Sequence, residues 1–259
     1  MPNRFRTSAC LSAAIALMVT GCSDGSSSSA PSSALSSTPT PSATASSSTP
    51  PPATTAAPST PPPTTAPRTS AQLAKGLLAL ADLPAGFSIE KDDDSGDDDV
   101  TLASKDAKCA KLIAFSSADV PPGSKASAGQ SYSGGAEGPF IDESLDAMGS
   151  GAAVRALQKS FRQAIASCRT MTLTIPGEGR SPINVREVSA PKSGTDPAAV
   201  RFTATSGPLE GLEVTMITTG VGDVVLALTV INGLPEDIEG ATSLAVRKAQ
   251  KVFGTGTGT

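Results

Sequence analysis

Between residues 151 and 168 apolar positions recur with the period of a helix. Val154, Leu157, Phe161, Ile165 and Cys168 fall at i, i+3, i+7, i+11 and i+14, one face of a 3.6-residue turn. A second long helix is expected over about 235–253, where Ile238, Ala241, Ala245 and Val252 mark the buried stripe. Two shorter helices are expected, at about 70–80 with Leu73, Leu77 and Leu80 on one side, and at about 105–114 with Ser104 as its cap. Elsewhere the pattern shortens toward alternation. Strands are expected at about 87–91, 126–134, 138–148, 170–175, 183–190, 198–206, 210–219 and 223–231. The last, from Asp223 to Ile231, is apolar on both faces and should be central. Strands joined by short turns, with few helices, argue for an α+β domain: an antiparallel β-sheet with helices packed on one face.

The first seventy residues follow neither period. Arg4 and Arg6 precede a twelve-residue, mostly apolar run over 9–20, which suits the core of an export signal and is too short to span a bilayer. Val19-Thr20-Gly21-Cys22 follows it and resembles the bacterial lipobox, in which small residues precede a lipidated Cys. Residues 1–21 are therefore expected to be a lipoprotein signal peptide, and Cys22 the site of diacylglycerol attachment. Acyl chains contribute about 0.8 kcal/mol per buried methylene, so a diacylglyceryl group should hold the protein firmly to the membrane. The expected location is the extracytoplasmic face of the cell membrane, reached through this lipid anchor. From Ser23 to Ser70 there are 15 Ser, 11 Pro, 10 Thr and 8 Ala among 48 residues. One aliphatic side chain larger than Ala cannot offset the entropy of ordering such a segment, so 22–70 is expected to be a disordered tether. A single domain over 71–253 and a flexible tail over 254–259 complete the expected organisation.

Composition narrows the chemistry. The chain of 259 residues has no His and no Trp. That removes the Ser-His-Asp triad, the Cys-His dyad and histidine zinc sites. Residues 71–259 carry 17 Lys and Arg against 23 Asp and Glu, a net charge of −6. So acidic a domain with so few aromatic residues is a poor nucleic-acid binder. Cys109 and Cys168 are the two cysteines of the expected mature domain, and each lies on the apolar stripe of its own helix. Export to an oxidising compartment predicts that they form a disulfide between packed helices.

Asp92-Asp93-Asp94-Ser95-Gly96-Asp97-Asp98-Asp99 invites a calcium reading. Counted from Asp92 as an EF-hand loop, position 6 is Asp97 instead of Gly and position 12 is Ala103 instead of Glu. Six like charges in eight residues repel, and an open solvated loop is expected. Ser189-Ala190-Pro191-Lys192 has the spacing of a Ser-x-x-Lys nucleophile, but Pro191 and Gly194 place it in a loop. Asp142 and Glu143 should point to opposite sides of one strand and cannot act as an acid–base pair. No catalytic residue, metal site or cofactor is expected, and the protein is read as a non-enzyme. Small and β-branched strand residues (Ala126, Ala128, Val200, Ala204, Val214, Ile217) either form a core or line an apolar groove, and core is the reading preferred.

Leu78-x-x-Ala81-Asp82-Leu83-Pro84-x-Gly86-Phe87, a Cys ahead of a strand pair, a helix ending in Cys and a late Val221-Gly222-Asp223-Val224-Val225 occur here behind a lipoprotein signal and tether. Over about 73–253 the set resembles the stand-alone actinobacterial lipoproteins similar to the extracellular sensor domain of the mycobacterial receptor kinase H. The resemblance implies an α+β fold with a cleft for an unidentified extracellular ligand or protein, and no catalytic residues. The function expected is a lipid-anchored, sensor-like binding lipoprotein. The alternative is a lipid or glycolipid carrier with an apolar cavity in the α+β domain.

Overall fold

In the computed structural model of the chain, residues 68–90 and 100–254 are described. The signal segment, Cys22, most of the tether, the aspartate run and the last five residues lie outside them.

Nine strands form one antiparallel sheet: β1 (Ser88–Ile89), β2 (Thr101–Ala103), β3 (Ala126–Ser133), β4 (Phe140–Ala147), β5 (Thr170–Ile175), β6 (Gly179–Val188), β7 (Thr195–Ala204), β8 (Glu213–Val221) and β9 (Val224–Ile231). Their spatial order is β1-β3-β4-β9-β8-β7-β6-β5-β2. From β5 to β9 each strand pairs with the next through a short hairpin. β9 lies between β4 and β8, so the strand with two apolar faces is internal. The first two strands in sequence, β1 and β2, occupy opposite edges of the sheet.

Four helices accompany the sheet: α1 (Ser70–Leu73), α2 (Ala110–Ser116), α3 (Gly151–Ser167) and α4 (Pro235–Phe253). Ser150 caps α3 by accepting the Ala153 N–H at 3.1 Å. Pro235 opens α4, and Asp237 accepts the Leu234 N–H at 2.9 Å. The segment expected to be one helix over 70–80 folds as the single turn α1, then a 3-10 turn at Ala74–Gly76, then extended chain. At Gly76 a β-carbon would come within 2.5 Å of the Phe253 ring. This close approach to the end of α4 requires glycine, and glycine propagates a helix poorly. β2 was not expected. It is three residues long, beside the aspartate run, and its pairing with Thr172, Leu173 and Thr174 of β5 is what makes it a strand.

The α+β class and the antiparallel sheet hold, but the helices do not share one face. Successive residues of a strand point to opposite sides. Ala199 and Ile217 pack in a core with Ile238, Ala245 and Val246 of α4, together with Leu73, Leu145 and Leu228. Their neighbours Val200 and Met216 pack with Phe161 and Ile165 of α3 and Leu112 of α2. The sheet is thus an inner layer, with α4 on one side and α2 and α3 on the other. The physical reason is that β8 and β9 are apolar on both faces, and a single layer of helices would leave one face wet.

Cys109 and Cys168 are joined by a disulfide with a Cα separation of 4.6 Å. It ties the 3-10 turn ahead of α2 to the residue that follows α3. Both sulfur-bearing residues are fully buried in the α2–α3 core.

Candidate functional site

On the α3 side of β4, alternation brings Asp142, Ser144 and Asp146 to one face, while Ile141, Glu143 and Leu145 turn to the α4 side. α3 runs over β6, β7 and β8, and α2 lies against α3. A cleft remains between these helices and the strands β4, β9 and β8. Its inner part has a volume of about 120 Å³. Phe115 and Ser116 of α2, Gln158 and Phe161 of α3, and Asp146 and Thr218 of the sheet are among its walls. Phe115 and Phe161 meet edge to face at 5.5 Å between ring centroids.

The polar groups divide by whether they are satisfied. Gln158 is fully buried. With its amide oxygen toward the Thr219 and Gly220 N–H groups, at 3.1 and 3.3 Å, its nitrogen donates to Thr218 Oγ1 at 2.6 Å. It pins α3 to β8, with one amide N–H left over. Asp146, 1% exposed, accepts from Ser124 Oγ at 3.3 Å and Ser144 Oγ at 3.2 Å. Burial raises its carboxyl above the ordinary value, and the surrounding serines partly counter this. Ser116 Oγ is buried and has no hydrogen-bond partner among the described residues. A buried hydroxyl without a partner costs about 1–3 kcal/mol, and Ser116 lines the inner cavity.

Beside the inner cavity, sharing Phe115 and Leu157 with it, lies an open groove of about 560 Å³. Met148, Ala153 and Ala156 contribute apolar wall, and Lys111 and Lys125 stand at its margin. The arrangement can hold a small hydrogen-bonding molecule inside and an apolar extension outside. Asp119 lines the inner cavity together with Asp146. Asp142 and Asp146, four residues apart on one strand, are separated by about 13 Å. Asp142 and Glu143 lie on opposite faces, as the alternation requires.

Glu143 belongs to a different buried centre, on the α4 side. Its Oε2 accepts the Leu78 N–H at 2.8 Å, and Tyr132 Oη donates to the Leu78 carbonyl at 2.6 Å. Glu143 Oε1 is buried without a partner among the described residues. Burial pushes the Glu143 carboxyl up to about 7, and burial together with the nearby glutamate raises the Tyr132 phenol. Lys248 of α4 pairs with Asp82, whose carboxyl this contact holds below its ordinary value. These groups fasten the segment that leads in from the tether.

Ser189 and Lys192 sit exposed in the loop between β6 and β7, so Ser189 does not open a helix. Val200, Ala204 and Ile217 are buried in the two cores, and Ala126 and Ala128 pack against the α4 side, so none of them lines the cleft. The cleft's own residues were not singled out in the sequence. Asp142, Ser144 and Asp146 do alternate with Ile141 and Leu145, but that pattern reads as a solvated strand face. Ser116 sits at the last position of α2 with no motif around it.

No protein-family model matches the chain, and no curated protein does. Among solved structures, the crystal structure of the extracellular domain of PknH from Mycobacterium tuberculosis superposes with a TM-score of 0.53. This chain has the fold of that domain. The likeness covers 72% of this chain and 97% of the PknH domain, at 17% sequence identity. Residues outside the likeness therefore belong largely to this chain and not to the PknH domain.

Proposed function

We propose that the protein is a lipid-anchored extracytoplasmic lipoprotein whose folded domain binds a small ligand in the cleft between α2, α3 and the sheet, without catalysis. The observation that carries this is the inner cavity itself, walled by aromatic and aliphatic side chains yet furnished with the buried Asp146 carboxyl and the unpartnered Ser116 hydroxyl. Ligand sites combine an apolar lining with a few oriented polar groups in this way. The shared fold with an extracellular domain supports an extracytoplasmic, sensor-like role. The lipobox ending at Cys22 supports attachment through lipid. A cavity of about 150 Å³ accommodates benzene, so the buried part of the ligand is of that order or smaller.

A second reading, a lipid or glycolipid carrier, draws support from the outer groove of about 560 Å³ and its apolar wall. Native mass spectrometry of the full lipidated chain separates the two. Ala227 lines the inner cavity, and Ala227→Leu fills it. A bound species of small mass, lost in Ala227→Leu, supports the first reading. A second acyl lipid beyond the anchor, unaffected by Ala227→Leu, supports the carrier. Absence of any bound species, with no thermal stabilisation by small carboxylate or polyol probes, overturns both.

A further inference from the structure

Over β5, β6 and most of β7, the side of the sheet away from α3 is covered by no helix among the described residues. β5, β6 and β7 send Met171, Ile183, Val185, Val200 and Phe202 toward α2 and α3. Their alternate residues point the other way, where α4 packs mainly over β8 and β9 and reaches β7 at Ala199. Arg180, Arg186 and Arg201 stand on that open side among Thr170, Thr172 and Asn184.

Arg186 and Arg201 are direct partners in the β6–β7 register. Side chains so placed have β-carbons about 5 Å apart, and like charges there repel. Arg201 has company, with Glu213 at 3.5 Å and Thr215 Oγ1 at 3.3 Å. Arg180 and Arg186 have no ion-pair partner among the described residues. Six positions apart on β6, they are separated by about 20 Å. Against a domain charge of −6, this is a local reversal of sign. At the β7–β8 margin the face continues into a groove of about 460 Å³ that Lys192 and Arg201 line, with Glu239 of α4 across from them. None of the outward residues of β2, β5, β6 and β7 is aromatic, so the face offers nucleobases nothing to stack on.

We propose that this open face binds an extended acidic polysaccharide. Guanidinium groups bind carboxylate or phosphate in two-pronged fashion, and threonine and asparagine side chains bond to sugar hydroxyls. The 20 Å span of the arginines on β6 requires a chain with repeated anionic groups, since one small anion reaches only one of them. The proposal is independent of the cleft, which lies on the other side of the sheet.

The test is titration of the full chain, in detergent, with polygalacturonate oligosaccharides, a phosphate-bearing mannan, neutral dextran and oligothymidylate. Polygalacturonate or the phosphomannan should bind, and which of them binds tighter identifies the anionic group. Binding should weaken with salt. The Arg180→Ala/Arg186→Ala double variant should bind at least about tenfold more weakly, with a flatter salt dependence. Lys159→Ala, exposed on α3, should bind as the parent does. Arg186→Lys retains charge and should recover only part of the loss. Failure of both anionic glycans to bind at low salt, equal binding of dextran, undiminished binding by the double variant, or tighter binding of oligothymidylate would each overturn the proposal.

Discussion

Arg68 and Asp223 lie 155 residues apart in sequence, and the Arg68 Nε donates to the Asp223 carboxylate at 2.9 Å. The same guanidinium lies 4.7 Å from the centre of the Phe253 ring. The chain is thus secured where it enters the domain, to the β8–β9 turn and to the end of α4. Both charged partners are about a quarter exposed, so the pair should contribute little on its own. Arg68→Ala is expected to lower stability by no more than about 1 kcal/mol, and to increase amide exchange in 69–76 before any other segment. Hydrogen-exchange mass spectrometry reads this directly.

Glu143 makes stability depend on pH. Its carboxyl titrates near 7 in the folded protein against an ordinary value of 4.5, so the folded state binds more protons between those values. Stability therefore falls as pH rises from about 4.5 through 7. Asp142, Asp146 and Glu90, all raised by burial, act in the same direction. Asp82 acts oppositely, and its contribution disappears only in stronger acid. Glu143→Gln should flatten the profile over pH 4.5–7 and stabilise the protein at pH 8 by roughly 2 kcal/mol. Urea unfolding at several pH values measures it, and an unchanged slope would remove Glu143 as its cause.

The disulfide closes a loop of 59 residues. Replacing both cysteines, Cys109→Ser with Cys168→Ser, should cost about 2–4 kcal/mol. Lipid attachment at Cys22 should not change. Denaturant midpoints of the two proteins, and the mass of each after export, check both halves of this expectation.

Ser116 separates stability from binding. Ser116→Ala removes a buried hydroxyl that has no partner, and should raise stability by up to about 1 kcal/mol. If the cleft is the ligand site, the same variant binds more weakly. A variant that loses stability would show that the hydroxyl has a structural partner.

Gly220 tests the closeness of α3 to β8. A β-carbon there would lie 2.7 Å from Val154 Cγ1. Gly220→Ala should destabilise by about 1–3 kcal/mol, and Val154→Ala in the same chain should return part of that loss, although each change alone is unfavourable. A double-mutant cycle by thermal unfolding gives the coupling.

How far the sequence discloses this molecule varies by element. The helix α3 and the helix α4 carry long, regular stripes, and both appear within a residue of the expected ends. The cysteine pairing is legible from the stripe of α3 that ends at Cys168, the short apolar run around Cys109 and the expected export. β6 begins at Gly179, four residues before the expected 183, because Pro176 and Gly177 close a tight turn and outward-facing Pro182 is tolerated within the strand. Which side of the sheet a helix covers is not written in any one segment. It depends on β8 and β9 together having two apolar faces, and that leads to helices on both sides. The cleft was illegible for a related reason. Asp146, Ser116 and Phe161 come from three distant segments, and each has an ordinary local reading.

The placement of β1 and β2 on opposite edges limits the shape of the whole sheet. Nine strands laid flat put the outermost two about 38 Å apart. Twelve peptide steps separate Ile89 from Thr101, and twelve steps reach about 43 Å at most. The covalent link between the two rims therefore spans a flat sheet with little length to spare, and strand twist, by bringing the rims nearer, slackens it. Removing two residues between Ile89 and Thr101 would leave about 36 Å of reach, and the two rims could then be joined only if the sheet bent, with no change to any core side chain.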